Sequence, residues 1–184
     1  MNKPETIKKV EENIVSNQDW DRTRIETVLN FLNKHNIRYK IWEHPPLPTI
    51  EIAIDYWKEM PGTHCKNLFF RNHKGDQHYL VIFECSKQLN IKDLETKLNQ
   101  GKLTFASPKR MEKYLGVTPG SVTPFGLIND IDHHVILFID SDLENTPEIS
   151  FHPNDNRASV VINGKDFFKF LSICNNKYHF INVQ

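Results

Sequence analysis

The sequence lacks the features of several protein classes. Its 23 lysines and arginines are balanced by 23 aspartates and glutamates, so the formal net charge is zero. A neutral chain is poorly suited to wrapping a long nucleic-acid duplex, where many phosphates must be neutralised. A small contact with the end of a nucleic acid stays open. Apolar runs of the roughly 20 residues that a membrane-spanning helix needs are also missing. We therefore expect neither DNA nor a membrane as a partner.

The chain is also poor in cysteine and in targeting signals. Its three cysteines, Cys65, Cys85 and Cys174, are widely spaced and form no C-x-x-C motif. The amino-terminal residues lack the apolar core of a secretory signal. A reduced, cytoplasmic protein is the simplest interpretation of both observations.

The common signatures of cofactor and nucleophile chemistry are missing as well. There is no Walker-type phosphate loop, no dinucleotide-binding glycine pattern and no G-x-S-x-G elbow. None of the nine histidines falls into H-E-x-x-H. His133 and His134 are neighbours at a predicted strand start, so their side chains should point to opposite faces. We predict no metal and no cofactor, and we expect Cys174, on an apolar helix face, to pack rather than react.

The composition and the patterns of the sequence predict one domain and a short extension. Of the 184 residues, 39% are hydrophobic and 25% are charged, as is usual for a globular domain. Residues 1–22 are polar and charge-rich, and we interpret them as an amino-terminal extension with a short helix. Residues 23–184 form the domain, starting with a capping box at residues 23–26. Helical and strand patterns mix without regular βαβ alternation, which favours an α+β fold with a mixed sheet.

Two predicted helices carry specific expectations. Thr49 is placed to cap a helix whose buried face would comprise Ile50, Ala53, Ile54 and Trp57. Ser107 and Pro108 open a later helix that Gly116 closes. These local signals set the boundaries of the long loop that follows.

Residues 116–130 form this loop between a helix and a β-branched run. Three glycines and two prolines fall within eleven of its residues. Gly120 can expose its backbone N–H and C=O to a ligand, and Pro124 fixes its own φ, so the loop combines close access with stiffness. A purely structural crossover loop fits the same spacing equally well.

Two further residues are candidates for chemistry on their position alone. Lys66 opens an otherwise apolar strand, where an ammonium group can hold an anion or a ribose hydroxyl. An ordinary exposed lysine is the alternative. His152 lies where a strand ends and a loop begins, a common place for functional residues, although a histidine bonded to nearby backbone fits equally well.

Several stretches together resemble one family. Residues 62–72, 79–81, 103–108 and 114–127 are similar to the aminoacyl-tRNA deacylase domain of the YbaK and prolyl-tRNA-editing superfamily. Residues 151–153 and 156–160 continue the likeness. It covers roughly residues 24–183, and within the superfamily it is strongest to freestanding proteins that deacylate alanyl-tRNA charged on a proline tRNA.

This resemblance implies a fold and a site. The fold is an α+β structure with a barrel-like mixed sheet and surrounding helices. The family's lysine, its Gly-x-x-x-Pro motif and its histidine fall on Lys66, on residues 120–124 and on His152. We therefore expect Lys66, Gly120 and His152 as catalytic residues. The expected substrate-binding residues are Thr49, Asn67, Ser121, Val122, Thr123 and Pro124. Arg157 and Ser159 depart from the family pattern.

The resemblance also implies a reaction. The substrate would be the ester between an amino acid and the terminal adenosine of a mischarged proline tRNA, hydrolysed without metal. Lys66 would anchor the ribose or the terminal phosphate, while Pro124, Val122 and His152 would shape a pocket that admits alanine and excludes proline. The expected partners are the tRNA acceptor end and prolyl-tRNA synthetase. The alternatives are another substrate, such as cysteinyl-tRNA, and a non-catalytic nucleic-acid or regulatory binding module of the same fold.

Overall fold

The computed structural model describes residues 21–47 and 50–184. In that part of the chain the helices are α1 (Thr23–Lys34), α2 (Ile50–Trp57), α3 (Ile91–Leu98), α4 (Pro108–Leu115) and α5 (Gly164–Cys174). Two 3-10 helices cover Pro124–Asn129 and Ser141–Leu143. The strands are β1 (Tyr39–Glu43), β2 (Thr63–Arg71), β3 (His78–Glu84), β4 (Thr104–Phe105), β5 (Val135–Asp140), β6 (Glu148–Phe151), β7 (Ala158–Asn163) and β8 (Tyr178–Ile181).

These strands form one mixed sheet in the order β1-β7-β6-β2-β3-β5-β8, with β4 paired to β2. The long strand β2 joins its two halves. Thr63 and His64 pair parallel with β6, whereas residues 65–71 pair antiparallel with β3. The predicted α+β fold with a mixed sheet and surrounding helices is confirmed.

The sheet separates two hydrophobic clusters. Alternate residues of β2 and β3 enter different clusters, as the period of two in a strand requires. Phe69 and Leu80 belong to the larger one, with α1, α4 and α5, while Phe70 and Tyr79 belong to the smaller one beneath α3. Both faces of strands β2 and β3 are therefore covered by hydrophobic side chains, one by each cluster.

The predicted ends of α4 are confirmed, with Pro108 following the Ser107 cap. Asn90 caps α3 by accepting from the Asp93 N–H. The left-handed Gly116 ends α4, with φ of +64°. Tyr178–Ile181 lies at the edge of the sheet.

The predicted capping box at residues 23–26 is wrong. Arg22 is the cap of α1 without a side-chain cap bond, and Thr23 is already helical. The carboxylate of Asp21 accepts from the Thr23 N–H at 2.9 Å instead. The helix begins earlier than the motif predicts, because Asp21, two residues before Thr23, satisfies a free helix N–H as well as a threonine cap would.

The predicted buried face of α2 is partly wrong. Ala53 is buried, but the side chain of Ile54 is 46% exposed. The proposed Thr49 cap, the Ile50 side chain and the short helix predicted within residues 1–22 lie outside the described part of the chain, apart from residues 21 and 22. Among the described residues, no helix is both long and apolar enough to cross a membrane.

Candidate functional site

A small cleft lies where β2, β6 and β7 meet the end of α2. It is lined by Trp57, His64, Cys65, Asn67, Ser150, Phe151, His152 and Ser159. The indole of Trp57 stacks on the imidazole of His64, with ring centroids 4.6 Å apart. Two of the predicted site residues, Asn67 and His152, therefore share one cleft.

His152 follows β6 and presents one ring nitrogen to the cleft as an acceptor. Its Nδ1 lies 3.0 Å from the Ala158 carbonyl oxygen. A carbonyl can only accept, so Nδ1 carries the proton. Burial lowers the pKa of His152 below its usual 6.5, which keeps the ring neutral near pH 7. Nε2 therefore carries a lone pair and can accept a hydrogen bond.

His44 and Ser159 form a hydrogen-bonded pair beside His152. His44 Nδ1 donates to the Pro45 carbonyl oxygen at 2.9 Å, and burial lowers its pKa to about 4. Its neutral Nε2 must therefore accept from the Ser159 hydroxyl, at 2.9 Å. The His44 and His152 rings lie 6.1 Å apart. Ser159 therefore donates its hydroxyl proton to His44, and its oxygen lone pairs remain able to accept hydrogen bonds.

Two other polar atoms of the cleft are buried without a donor. Neither Asn67 Oδ1 nor His64 Nδ1 has a hydrogen-bond partner among the residues that the structure describes. A buried unpaired acceptor costs about 1–3 kcal/mol. Such atoms are unusual in a folded interior and are candidates for contact with a ligand.

The central loop is tied to the segment that carries His152. Gly120 is exposed with φ of +85°, and a Cβ there would lie 3.3 Å from Asn156 Nδ2. Ser121 Oγ accepts from the Asn156 N–H at 3.1 Å, and the Asn156 carbonyl oxygen accepts from the Leu47 N–H at 3.3 Å. Residues 118–121, 152–157 and 44–47 therefore form one connected rim.

The rest of the Gly-x-x-x-Pro motif supports this loop from beneath. Thr123 is buried, and its Oγ1 accepts from the Phe125 N–H at 3.3 Å to cap the 3-10 helix that Pro124 opens. Pro124 is buried as well, and Val122 packs against the larger core cluster. These side chains fix the backbone of the loop, whereas the cleft surface is formed by other residues.

Lys66 lies on the opposite face of β2 from the cleft. It is paired with Phe83 of β3, and its ammonium lies 5.8 Å from the centroid of that ring. The ammonium donates to the Lys87 carbonyl oxygen at 3.0 Å. Its neighbours Cys65 and Asn67 point to the cleft, as alternation along a strand requires. This single carbonyl uses one of the three donors of the ammonium.

Cys174 packs in the larger core cluster, as expected from the sequence. Burial raises the pKa of the Cys65 thiol well above its ordinary value and that of Cys174 to about 12. A thiol with such a pKa is a poor nucleophile near pH 7. Within residues 21–47 and 50–184, no group of three or more histidine, cysteine or acidic side chains is placed to hold a metal ion.

Sequence reasoning missed the pairing of His44 with Ser159. The two residues are 115 positions apart, so no local pattern could join them. The only available signals were the unusual serine at residue 159 and a histidine immediately before two prolines. Asn156, which ties the central loop to the rim, was missed for the same reason.

Known proteins share this sequence and fold. The profile of the Aminoacyl-tRNA editing domain family matches residues 44–170. The Prolyl-tRNA editing protein ProX of Acetoanaerobium sticklandii is 37% identical over 158 residues, covering 86% of this chain and 96% of that protein. Prolyl-tRNA synthetase associated domain-containing protein 1 of Mus musculus is 35% identical over 139 residues, covering 73% and 82%.

A crystal structure described provisionally as a trans-editing enzyme for prolyl tRNA synthetase has a TM-score of 0.66 and 21% identity. The match covers 88% of this chain and 97% of that one, and it shows the shared fold. The family profile spans well over half of the chain, and it includes the cleft and its rim. The predicted enzyme class, an aminoacyl-tRNA deacylase, is confirmed by the family match and the similar ProX protein. This chain belongs to the aminoacyl-tRNA editing domain family.

Proposed function

We propose that this protein hydrolyses the aminoacyl ester of mischarged proline tRNA in trans, with alanyl-tRNA as its substrate. The observation that carries the proposal is the small cleft with acceptors on its surface and a glycine-containing loop on its rim. The names of the similar ProX protein and of the Mus musculus relative support proline tRNA as the carrier.

In this proposal the loop and His152 surround the scissile ester. The exposed Gly120 lets the terminal adenosine approach the backbone, because no side chain stands in the way. His152, held by the Ala158 carbonyl oxygen, forms one wall of the amino-acid pocket. Ser121, Thr123 and Pro124 act by fixing the loop, and Val122 anchors it to the core.

Lys66 is proposed as the anchor for the ribose or the terminal phosphate, which requires its ammonium to leave the Lys87 carbonyl oxygen and the Phe83 ring and to reach the cleft side of β2. Its four-carbon stem is flexible, and its partner is a backbone carbonyl oxygen rather than a carboxylate. Exchange of that partner for a phosphate oxygen would therefore give a stronger, charge-assisted bond. Asn67 and Thr49 are assigned to the pocket in the same proposal.

Hydrolysis then follows from positioning. Water adds to the ester carbonyl, the tetrahedral oxyanion collapses, and the ribose oxygen leaves with a proton as the free amino acid is released. A positioned water and a fixed carbonyl supply much of the rate. The neighbouring ribose hydroxyl assists the proton transfer, as the family resemblance implies, so the protein need not supply a nucleophile.

Size gives the selectivity in this account. A pocket discriminates one added methylene by about 1–3 kcal/mol, and a stiff wall keeps that difference by resisting relaxation. Alanine enters the cleft, whereas the proline ring meets its wall. The protein acts at the tRNA acceptor end, beside prolyl-tRNA synthetase in the cytoplasm.

The proposal is tested by deacylation of a panel of charged tRNAs with the purified protein. We expect release of alanine from alanyl-tRNA(Pro), no release of proline from prolyl-tRNA(Pro), and no effect of a chelator. Loss of activity with a chelator and recovery with zinc would contradict the metal-free reaction. If cysteine is released from cysteinyl-tRNA(Pro) faster than alanine is released from alanyl-tRNA(Pro), the substrate is cysteinyl-tRNA(Pro) and the enzyme class is unchanged.

A further inference from the structure

Lys66 and Lys87 are lysines in contact that differ in how their polar groups are paired. Within the described residues, the Lys66 ammonium makes one hydrogen bond, to the Lys87 carbonyl oxygen at 3.0 Å, and it lies 5.8 Å from the centroid of the Phe83 ring. An ammonium group has three N–H donors, so this contact uses one of the three. A single exchangeable hydrogen bond therefore sets the position of the Lys66 ammonium.

Lys87 is paired at each of its polar groups. Its ammonium lies 2.7 Å from Asp140 Oδ2 and 2.5 Å from Asp142 Oδ2. The same ammonium donates to the Val183 carbonyl oxygen at 2.9 Å, and these three contacts form what we call the clamp. The Lys87 N–H donates to the Glu84 carbonyl oxygen at 3.1 Å, which closes the turn after β3. The remaining polar group of Lys87 is the carbonyl oxygen that accepts from the neighbouring lysine.

The oxygens of the clamp belong to fixed parts of the fold. Asp140 ends β5 and is 1% exposed, and its Oδ1 accepts from the Val183 N–H at 3.3 Å. Gln88, the residue after Lys87, donates its N–H to the backbone oxygen of Gln184 at 2.9 Å. The turn is thus joined both to the end of β5 and to the residues after β8, so the Lys87 carbonyl oxygen is held in place.

The proposed function puts the target of Lys66 on the other side of β2, where Cys65 and Asn67 line the cleft. Resting on that function, we infer that Lys87 is a positioning residue of the reaction: its clamped carbonyl oxygen holds the Lys66 ammonium away from the cleft until the substrate binds. A phosphate oxygen forms a stronger, charge-assisted bond than a carbonyl oxygen does. The terminal phosphate of the tRNA can therefore take the ammonium from Lys87.

This arrangement makes substrate binding weaker than the cleft alone would allow. When only a fraction of the molecules has Lys66 released, the apparent affinity falls by that fraction, because the competent state must be populated first. The rate from the bound state does not change. Loosening the clamp should therefore lower the substrate or protein concentration needed for half-saturation and leave the maximal rate as it is. Damage to the fold has the opposite sign, since it weakens binding or slows the reaction.

Lys87→Met tests this, because it removes the ammonium and keeps an unbranched side chain. With the protein in excess over alanyl-tRNA(Pro), we expect the half-saturating protein concentration to fall about 3- to 10-fold, with the maximal rate within about 2-fold of wild type. Loss of a positive charge by itself weakens binding to RNA, so the expected change runs against the electrostatic effect. Lys92→Met, on the exposed side of α3, is the matched control for charge and should not lower that concentration. Lys87→Arg keeps a cation for both carboxylates and should bind as the wild type does.

A second variant separates release of Lys66 from a folding defect. Lys87→Met leaves the buried carboxylate of Asp140 without its cation, which destabilises a folded protein. Combining Lys87→Met with Asp140→Asn removes that buried charge and keeps Oδ1 as the acceptor for the Val183 N–H. The double variant should show the same fall in the half-saturating concentration, and thermal melts establish that each variant is folded.

Lys66 can also be observed directly in the wild-type protein. Labelling lysine at its ε-carbon with carbon-13 gives an NMR signal that Lys66→Arg assigns and that the nearby Phe83 ring displaces. Addition of tRNA(Pro) carrying alanine through a hydrolysis-resistant 3′-amide should move this signal away from its ring-displaced position. In free Lys87→Met, the signal should already lie part of the way towards the bound position.

The outcomes distinguish this inference from the proposed function. A Lys66 signal that does not move when an active protein is saturated with the amide-linked tRNA would overturn the inference and keep the function. An unchanged or raised half-saturating concentration in a folded Lys87→Met or double variant would overturn it as well. So would a slower maximal rate in either folded variant, since the clamp would then hold Lys66 in its working position. Absence of deacylation of every charged tRNA in the panel would remove the function, and the inference with it.

Discussion

Two clusters of histidines in this molecule differ in how their polar atoms are used. At one end of the sheet, His78 Nδ1 lies 2.8 Å from His134 Nε2, and His78 Nε2 lies 2.7 Å from Arg110. Arginine can only donate, so His78 Nε2 accepts from Arg110 and Nδ1–H donates to His134. The Tyr114 ring stacks on that of His134. Both nitrogens of His78 are therefore paired within the protein.

The cleft has the opposite property. One nitrogen of His152 is bonded to backbone and the other is open, and a buried oxygen of Asn67 has no donor in the described ranges. Burial lowers the pKa of the histidine in both regions, so a depressed pKa alone does not separate them. The pairing of the remaining polar atoms does separate them, and this difference supports the proposal that the cleft is the site.

The largest effect should come from the rim of the cleft. Gly120→Val places a branched side chain at φ of +85° and within 3.3 Å of Asn156 Nδ2. Displacement of the loop by about 1 Å can cost on the order of 10²-fold in rate. We expect loss of that size for deacylation of alanyl-tRNA(Pro). The control is Gly75→Val, at φ of +76° in the β2–β3 hairpin, which should lower the melting temperature without lowering the rate.

Lys66→Ala tests whether the face of β2 opposite the cleft takes part in the reaction. If Lys66 anchors the ribose or phosphate, its removal should lower the deacylation rate by about 10²-fold, as for loss of one preorganised charged contact. Stability should change by no more than ~0.5 kcal/mol, as for most surface substitutions. Lys92→Ala, on the exposed side of α3, is the control. A near-normal rate for Lys66→Ala would confine the chemistry to the cleft face.

His152→Ala should change selectivity more than rate. Removal of the ring enlarges the pocket, so larger aminoacyl groups should be released about 10- to 200-fold faster relative to alanine. The ratio of deacylation rates for alanyl-tRNA and a bulkier aminoacyl-tRNA measures this. Pro124→Ala, which loosens the loop from beneath, should change the ratio in the same direction. An unchanged ratio in both variants would remove this loop and His152 from the pocket wall.

Sequence patterns predicted much of this fold because its signals are local. The Ser107 cap and the Gly116 helix end depend on residues close in the chain. The error at Thr23 also has a local cause, since Asp21 competes for the same N–H. Local rules succeeded where one residue had one available partner.

The site was only partly predictable, because its partners come from distant segments. The family likeness brought attention to Asn67 and His152, which do share a cleft. The pairing of His44 with Ser159 and the contact of Gly120 with Asn156 depend on β7 and the loop before it lying beside residues 44–47. The direction of Lys66 depends on its register with Phe83, which spacing along one strand does not reveal.

The smallest effects concern acid stability. The pKa values of His44 and His78 are both about 4, compared with 6.5 for an unperturbed histidine. Between these values the unfolded chain binds more protons, so the free energy of unfolding should fall as pH falls from about 6.5 to about 4 and stay level above 6.5. Urea unfolding at several pH values measures this. His44→Gln and His78→Gln should each flatten the slope, and only His44→Gln should also alter selectivity. A slope unchanged in both variants would contradict the neutral state of these rings.

The most direct measurement is a competition between alanyl-tRNA(Pro) and prolyl-tRNA(Pro), each labelled on the amino acid, with the wild-type protein and Asn67→Leu. The acceptor-lined cleft predicts that the wild-type protein releases alanine and leaves proline attached. It also predicts that Asn67→Leu releases alanine more slowly while remaining folded. Equal release of the two amino acids by the wild-type protein, or an unaltered alanine rate in Asn67→Leu, would contradict the assignment of this cleft as the aminoacyl site.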